Sequence, residues 1–293
     1  MKILKGEPMA NHTTFRVGGP ADRFLCVGDS GELAEALDQC RQEGTPFHVI
    51  GRGSNLLVSD DGFRGTIICT ADGFSRIRVE QETADGAVLY AEGGATLAAL
   101  AGFAREHALT GLEFAAGIPG TVGGGILMNA GAYGGELCDV TSRVHLIGKT
   151  GDQVVKERGE MAFSYRTSAV KGSGEIVTGA AFSLKKGDRE TIGQTMEELA
   201  KKRMEKQPLN FASAGSTWKR PPGQFAAKLI EEAGCKGLSV GDAQISEKHA
   251  GFLINRGAAR ASQIRELMRQ VEERVFENSG IRLEPEIVMI GEF

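Results

Sequence analysis

Two segments combine glycine with polar residues in a way that leaves the backbone available for chemistry. Residues 117–136 read GIPGTVGGGILMNAGAYGGE, in which the only charged side chain is the last. Side chains this small expose peptide N–H groups, tolerate positive φ and let a phosphate come close to the main chain. Ile118, Val122, Ile126, Leu127 and Met128 are interleaved with the glycines, and flexible linkers lack such anchors. The segment therefore reads as packed backbone facing a phosphate-bearing ligand. Residues 51–57, GRGSNLL, repeat the theme: Gly51 and Gly53 open the backbone, while Ser54 and Asn55 offer hydrogen bonds.

Other nucleotide and hydrolase motifs fail. A dinucleotide fingerprint of the form Gly-x-Gly-x-x-Gly needs glycine where Leu56 stands. Gly148-Lys149-Thr150 ends like a phosphate loop, but Arg143 occupies the place of the first glycine and the surroundings read as strand. No Gly-x-Ser-x-Gly elbow occurs. Two phosphate-approaching loops without these contexts suggest a dinucleotide held between two subdomains.

The elements that must position these loops follow from periodicity. Ser30 reads as the N-cap of a helix over GELAEALDQCRQE that stops at Gly44. Strands are expected at 47–50, 56–58 and 66–69, giving a small α/β unit. Strands at 76–80 and 87–92, a helix from Thr96 to His107, and strands at 144–148 and 175–184 make a second unit around the glycine segment. Asp188 caps a long polar helix ending near Gln207-Pro208. The last third carries a helix at 224–234, a strand at 252–255, an amphipathic helix from Ala261 to Asn278 and a strand from Leu283 to Ile290. Strands followed by helices without regular alternation give an α+β fold. The division is 1–70, 71–205 and 206–282, with 283–293 packing back on the first part.

The 293 residues, 41% hydrophobic and 25% charged, suffice for such a core. A net charge of −4 argues against a nucleic-acid surface. No apolar run is long enough for a membrane span, and MKILKGEPMANHTTF lacks an apolar signal core, so a cytoplasmic protein is expected. Cys26, Cys40, Cys69, Cys138 and Cys235 are scattered without a Cys-x-x-Cys pair, and the five histidines form no ligand spacing. Neither disulfides nor a metal cofactor are expected.

Six segments in fixed order now carry a resemblance: HTTFRVGGPA (12–21), GRGSNLL, the 117–136 segment, YRTS (165–168), GSTWKRP (215–221) and LEPE (283–286). Over nearly its whole length the sequence resembles the UDP-N-acetylenolpyruvoylglucosamine reductase family of peptidoglycan precursor synthesis. The resemblance implies a two-subdomain FAD-binding fold, of the type found in vanillyl-alcohol oxidase and p-cresol methylhydroxylase, plus a third α+β substrate-binding subdomain. FAD is expected to bind non-covalently, against Gly51, Arg52, Gly53, Ser54, Asn55 and Leu56 on one side. Gly117, Ile118, Pro119, Gly120, Val122, Gly123, Gly124 and Asn129 are expected on the other.

The implied reaction uses one site for two ligands in turn, NADPH and then the enolpyruvyl UDP-sugar. Hydride reaches the terminal methylene, and negative charge spreads from the adjacent carbon into the carboxylate. By the same resemblance Arg166 holds that carboxylate, Glu286 lies beside it, and Ser216 gives the proton. Lys219 or an ordered water is a candidate to assist Ser216. Lys219, Arg220, Lys236 and His249 are expected to contact the sugar nucleotide. Tyr90, Tyr133 and Tyr165 are the only tyrosines, so none follows Arg166, and the chain resembles the shorter branch without a tyrosine lid. A monomer or weak oligomer is expected. The competing readings, an FAD-dependent alcohol or hydroxy-acid oxidase on the same fold and a flavin-binding module without activity, leave YRTS, GSTWKRP and LEPE unexplained.

Overall fold

The computed structural model describes residues 1–71 and 73–293. The chain divides into two compact units. One comprises Met1–Ile3, Phe24–Arg52 and Thr66–Arg203; the other comprises Leu4–Arg23, Gly53–Gly65 and Met204–Phe293.

In the first unit, Phe47–Ile50 runs parallel to the strand Phe63–Cys69, with Ile50 opposite Cys69. Helix α1 (Ser30–Glu43) buries Leu33, Ala36, Leu37 and Cys40, the i, i+3, i+4, i+7 stripe of an amphipathic helix. Its N-cap is Asp29, whose carboxylate accepts from Glu32 N–H at 2.9 Å. Ser30, the expected cap, is instead the first helical residue. A carboxylate one position earlier accepts the same amide and also opposes the positive helix end.

The larger sheet of this unit is antiparallel. Gln153–Glu157, Thr141–Ile147, Ile176–Lys186, Gly86–Glu92 and Ile77–Thr83 lie in that order, and Leu109–Thr110 pairs with the end of the third. Leu89, Ala91, Val144, Leu146, Ala180 and Phe182 form one core with helices α2 (Leu97–Glu106) and α3 (Val122–Met128).

Helix α3 lies inside the glycine segment, where no helix was expected because each glycine costs a helix about 1 kcal/mol relative to alanine. Packing overrides that cost. A Cβ on Gly125 would sit 2.8 Å from Leu137 Cδ1, and one on Gly123 would sit 3.1 Å from the Gly93 carbonyl. Thr121 caps the start through its side chain, and Asn129 ends the helix with a left-handed φ of 42°. Helix α4 (Arg189–Lys206) begins after Asp188, whose carboxylate accepts from Thr191 N–H.

The second unit is built on helices α5 (Ala226–Glu232) and α6 (Ala261–Ser279). Ile264, Leu267, Met268, Val271 and Val275 of α6 are buried with Leu229, Ile230, Ile245, Leu253, Trp218, Phe15 and Leu57. Ser239–Val240, Ala243–Ile245 and Leu253–Asn255 form a small antiparallel sheet. Val288–Ile290 runs parallel to Leu56–Val58, with Val288 opposite Leu56. The strand expected from Leu283 is therefore confined to its last three residues. Pro285 has no N–H, so the stretch before Val288 makes only a single bridge, with Trp218.

Two early strands, Lys2–Pro8 and Pro20–Cys26, carry polar and charged residues at most outward positions and no strong alternation. Burial of Phe24 and Leu25, and of Met9 and Phe15 between the two strands, fixes them instead. HTTFRVGGPA lies within this hairpin-like passage. Gly19 is required there because a Cβ would fall 2.0 Å from the Asp60 carbonyl. Among the described residues no helix is long and apolar enough to cross a membrane.

Candidate active site

In the first unit Gly51, which opens the 51–57 segment, meets Thr121 of the 117–136 segment. A Cβ on Gly51 would lie 2.2 Å from Thr121 Oγ1, so the strand end at Ile50 delivers its loop directly onto the start of α3. The backbone amides of the two loops differ sharply. Those of Gly51, Arg52, Gly53, Ser54 and Asn55 make no hydrogen bond among the described residues. By contrast, Val122 N–H donates to Ala95 O at 2.8 Å and Gly123 N–H to Gly93 O at 2.8 Å. Ile118 N–H donates to Ala115 O, and Gly120 N–H closes a γ-turn over Pro119 onto Ile118 O. Gly124 N–H donates to the Thr121 cap at 3.5 Å.

Five consecutive amides without protein acceptors are what an anionic diphosphate fits, since backbone donors rarely stay unmatched unless water or a ligand meets them. The residues present thus fit FAD, with the donors drawn from 51–55. The 117–124 stretch offers a glycine surface: Gly117 and Gly124 are exposed, and a Cβ on Gly124 would meet nothing nearer than 3.8 Å. Arg203, from the end of α4, donates to the Gly117 carbonyl.

Arg166 stands on a tight turn in which Ser164 and Thr167 exchange backbone hydrogen bonds of 3.1 and 3.2 Å. Its φ is 56°. The guanidinium donates to Asn129 O at 3.5 Å and Gly131 O at 3.2 Å, lies 3.8 Å from Glu136 Oε1, and sits over the Tyr165 ring at 4.8 Å. Glu136 carried no role in the sequence reading. Its place at the end of the glycine segment was visible, but its pairing across 30 residues to Arg166 was not.

In the second unit Gly53 has a φ of 59°, and a Cβ there would fall 1.9 Å from the His12 carbonyl. Asn55 Nδ2 donates to Glu286 O at 3.1 Å, tying the loop to LEPE. Two further motifs meet here. Glu286 N–H donates to Thr217 O at 2.8 Å, Lys219 N–H donates to Glu284 O at 2.8 Å, and Trp218 bridges Pro285. GSTWKRP and LEPE are therefore neighbouring extended segments. On the other side Ser216 bridges Phe252, and Thr217 N–H donates to Gly251 O. Thr217 is fully buried, with its hydroxyl accepting from Leu253 N–H, whereas Ser216, one residue earlier, is exposed.

His249 packs edge-on against Phe252, 5.0 Å between rings, and its Nδ1 accepts from Gly251 N–H at 3.1 Å. Burial lowers its pKa, and the nearby Lys236 pushes it the same way. Lys236 pairs with Glu231 at 2.8 Å, and Lys219 pairs with Glu284. Arg220 lies over the Phe225 ring at 4.6 Å. Among the described residues no three His, Cys, Asp or Glu side chains are placed to hold a metal ion.

Comparison with known proteins matches this anatomy. An FAD binding domain model covers residues 21–156, and the model described as UDP-N-acetylenolpyruvoylglucosamine reductase, C-terminal domain, covers 207–290. The chain is 47% identical to a reductase of that name from Agathobacter rectalis, over 99% of this chain and 95% of the relative. It is 45% identical to the one from Caldanaerobacter subterraneus, over 99% and 94%. The crystal structure of the Thermus caldophilus enzyme superposes with a TM-score of 0.82 at 36% identity, covering 99% of this chain and all of that one. Fold and family matches thus define an FAD-binding oxidoreductase that also carries the C-terminal domain of the UDP-N-acetylenolpyruvoylglucosamine reductases. The chain belongs to the UDP-N-acetylenolpyruvoylglucosamine reductase family.

Proposed function

We infer that this protein reduces the enolpyruvyl ether of UDP-N-acetylglucosamine to UDP-N-acetylmuramate, in peptidoglycan precursor synthesis, with NADPH as reductant. The observation that carries this reading is the 47% identity to a reductase of that name over 99% of the chain. The oxidase alternative has no such full-length support. FAD, when bound, would supply two-electron redox chemistry between NADPH and the terminal methylene of the substrate.

The chain's own groups do the rest. The free amides from Gly51 to Asn55 hold the diphosphate of FAD, and the bare glycine surface at Gly117 and Gly124 lets it approach. Arg166, permanently charged and able to bind both oxygens, holds the substrate carboxylate. Glu286 lies beside that carboxylate. Two carboxylates in contact disfavour double ionisation, so a proton shared there offsets the growing enolate charge. Ser216, exposed on an extended segment beside the one bearing Glu286, gives its hydroxyl proton to the carbon next to the carboxylate. Lys219 is directed to Glu284, which leaves a bound water as the better candidate to recharge Ser216. Arg220, Lys236 and a neutral His249 line the same unit as sugar-nucleotide contacts.

We likewise read 1–70 and 71–205 as the two FAD-binding subdomains and 206–282 as the substrate subdomain. The parallel pairing of Val288–Ile290 with Leu56–Val58 supports the return of 283–293 to the first. The cytoplasm, where NADPH and UDP-sugars are held, is the setting this reaction implies. Anaerobic mixing tests the assignment. NADPH should bleach the yellow protein, and the enolpyruvyl sugar nucleotide should restore the colour; bleaching that the sugar leaves unreversed would overturn it.

A further inference from the structure

Asn129 is fully buried, and its side chain is committed to the protein on every side. Nδ2 donates to Glu136 Oε2 at 2.9 Å and to Ser164 O at 3.2 Å, while Oδ1 accepts from Cys138 N–H at 3.0 Å. A side-chain amide has two N–H donors, so no hydrogen is left for a ligand. The bonds converge on one neighbour. Ser164 is the stem of the turn that carries Arg166, the Asn129 carbonyl itself accepts from the Arg166 guanidinium, and Glu136 presents its other oxygen 3.8 Å from the same group.

We propose that Asn129 and Glu136 are positioning residues for Arg166, in place of the cofactor contact that the sequence suggests for Asn129. Asn129 fixes the height of the turn through Ser164 and the rotamer of Glu136 through Nδ2. Glu136 then fixes the guanidinium plane from the side facing the protein. The left-handed φ of Asn129 suits this job, because asparagine adopts that conformation at low cost and still supplies two donors. This inference rests on Arg166 being the carboxylate clamp.

Asn129→Asp tests it. The substitution keeps size and backbone tolerance, removes both donors and sets a carboxylate against Glu136. In the FAD-loaded enzyme, cofactor content and bleaching by NADPH should stay within about twofold of the parent, because neither depends on Arg166. The KM for the enolpyruvyl sugar should rise, and its reduction should slow on the order of 10²-fold, the usual result of a displacement near 1 Å at a reacting group. Adding Glu136→Gln restores an N–H···O bond between the two positions with the roles exchanged. About tenfold recovery is expected, which a general packing defect would not give.

Glu136→Ala, at a partly exposed position, reads the same network if Asn129→Asp does not fold, and the same sugar-specific loss is expected. Loss of FAD, or equal slowing of both half-reactions, would overturn the inference, as would unchanged sugar kinetics or absence of recovery in the double variant. Arg166→Lys, measured alongside, separates the two readings. If it leaves sugar affinity unchanged, the clamp itself fails; if it impairs affinity while Asn129→Asp is inert, only the positioning inference fails.

Discussion

Arg166 holds a left-handed backbone, which costs an L-residue with a Cβ roughly 1–2 kcal/mol. Where the second central position of a tight turn is left-handed, it usually goes to glycine or asparagine for that reason. The arginine there carries that strain while its guanidinium reaches Asn129 O, Gly131 O and Glu136. Arg166→Lys keeps the charge but loses the planar fork, and should raise the KM for the enolpyruvyl sugar about 10–100-fold while leaving bleaching by NADPH intact. Steady-state kinetics on the two half-reactions check this. Ser216→Ala should likewise spare flavin reduction and slow sugar reduction on the order of 10²–10⁴-fold, the range for a lost proton donor. Stopped-flow traces showing equal loss in both halves would assign Ser216 a structural role. At Gly53 the backbone itself is at stake. Gly53→Ala places a methyl 1.9 Å from the His12 carbonyl at positive φ, and should cost about 3 kcal/mol in denaturant unfolding through overpacking and strain together.

At the scale of elements, helix α3 is built against its own propensity. Gly123 and Gly125 are explained by close neighbours, but Gly124 is exposed and a Cβ there would make only an ordinary contact with Thr121 Oγ1, at 3.8 Å. Alanine there should stabilise the FAD-free protein by up to about 1 kcal/mol, a rise of roughly 2–4 °C in Tm for a chain of this size. Affinity for FAD should fall at the same time, because the new methyl occupies the surface the cofactor approaches. Thermal melts with and without FAD distinguish the cases, and stabilisation with undiminished FAD affinity would place the cofactor elsewhere. The pairing of 217–219 with 284–286 is the other decisive element. It sets Ser216 and Glu286, 70 positions apart in sequence, on adjacent extended segments of the second unit.

Across the whole molecule, three histidines share one electrostatic fate. Burial lowers the pKa of His48, His145 and His249, with Arg143 adding to the effect at His145 and Lys236 at His249. Each imidazole thus stays neutral in the folded chain at pH values where the unfolded chain has begun to bind a proton. Unfolding then takes up protons, so stability rises with pH through this window. The contribution is complete above the ordinary histidine pKa of about 6.5 and declines as pH falls below it. Tm measured from pH 8 to pH 5 should drop on the acid side, and His48→Gln should flatten part of the drop. A Tm independent of pH over that range would contradict the assignment.

The sequence alone determined what local chemistry determines. Apolar periodicity together with caps and breakers such as Asp188 and Pro208 placed α1, α2, α4 and α6 to within a few residues, and the glycines marked where the backbone is open. The order of YRTS, GSTWKRP and LEPE pointed to the family before any coordinates. What only the tertiary structure decided is who binds whom. The amides of Val122 and Gly123 go to carbonyls some 30 residues earlier, leaving those of 51–55 as the unmatched donors. Asn129 belongs to Arg166 and Glu136, and Lys219 to Glu284. Hydrogen-bond partners are chosen by distance in space, and a linear pattern carries propensity but not that distance. The glycines could announce an open backbone; only the packed chain could say which part of it stays open.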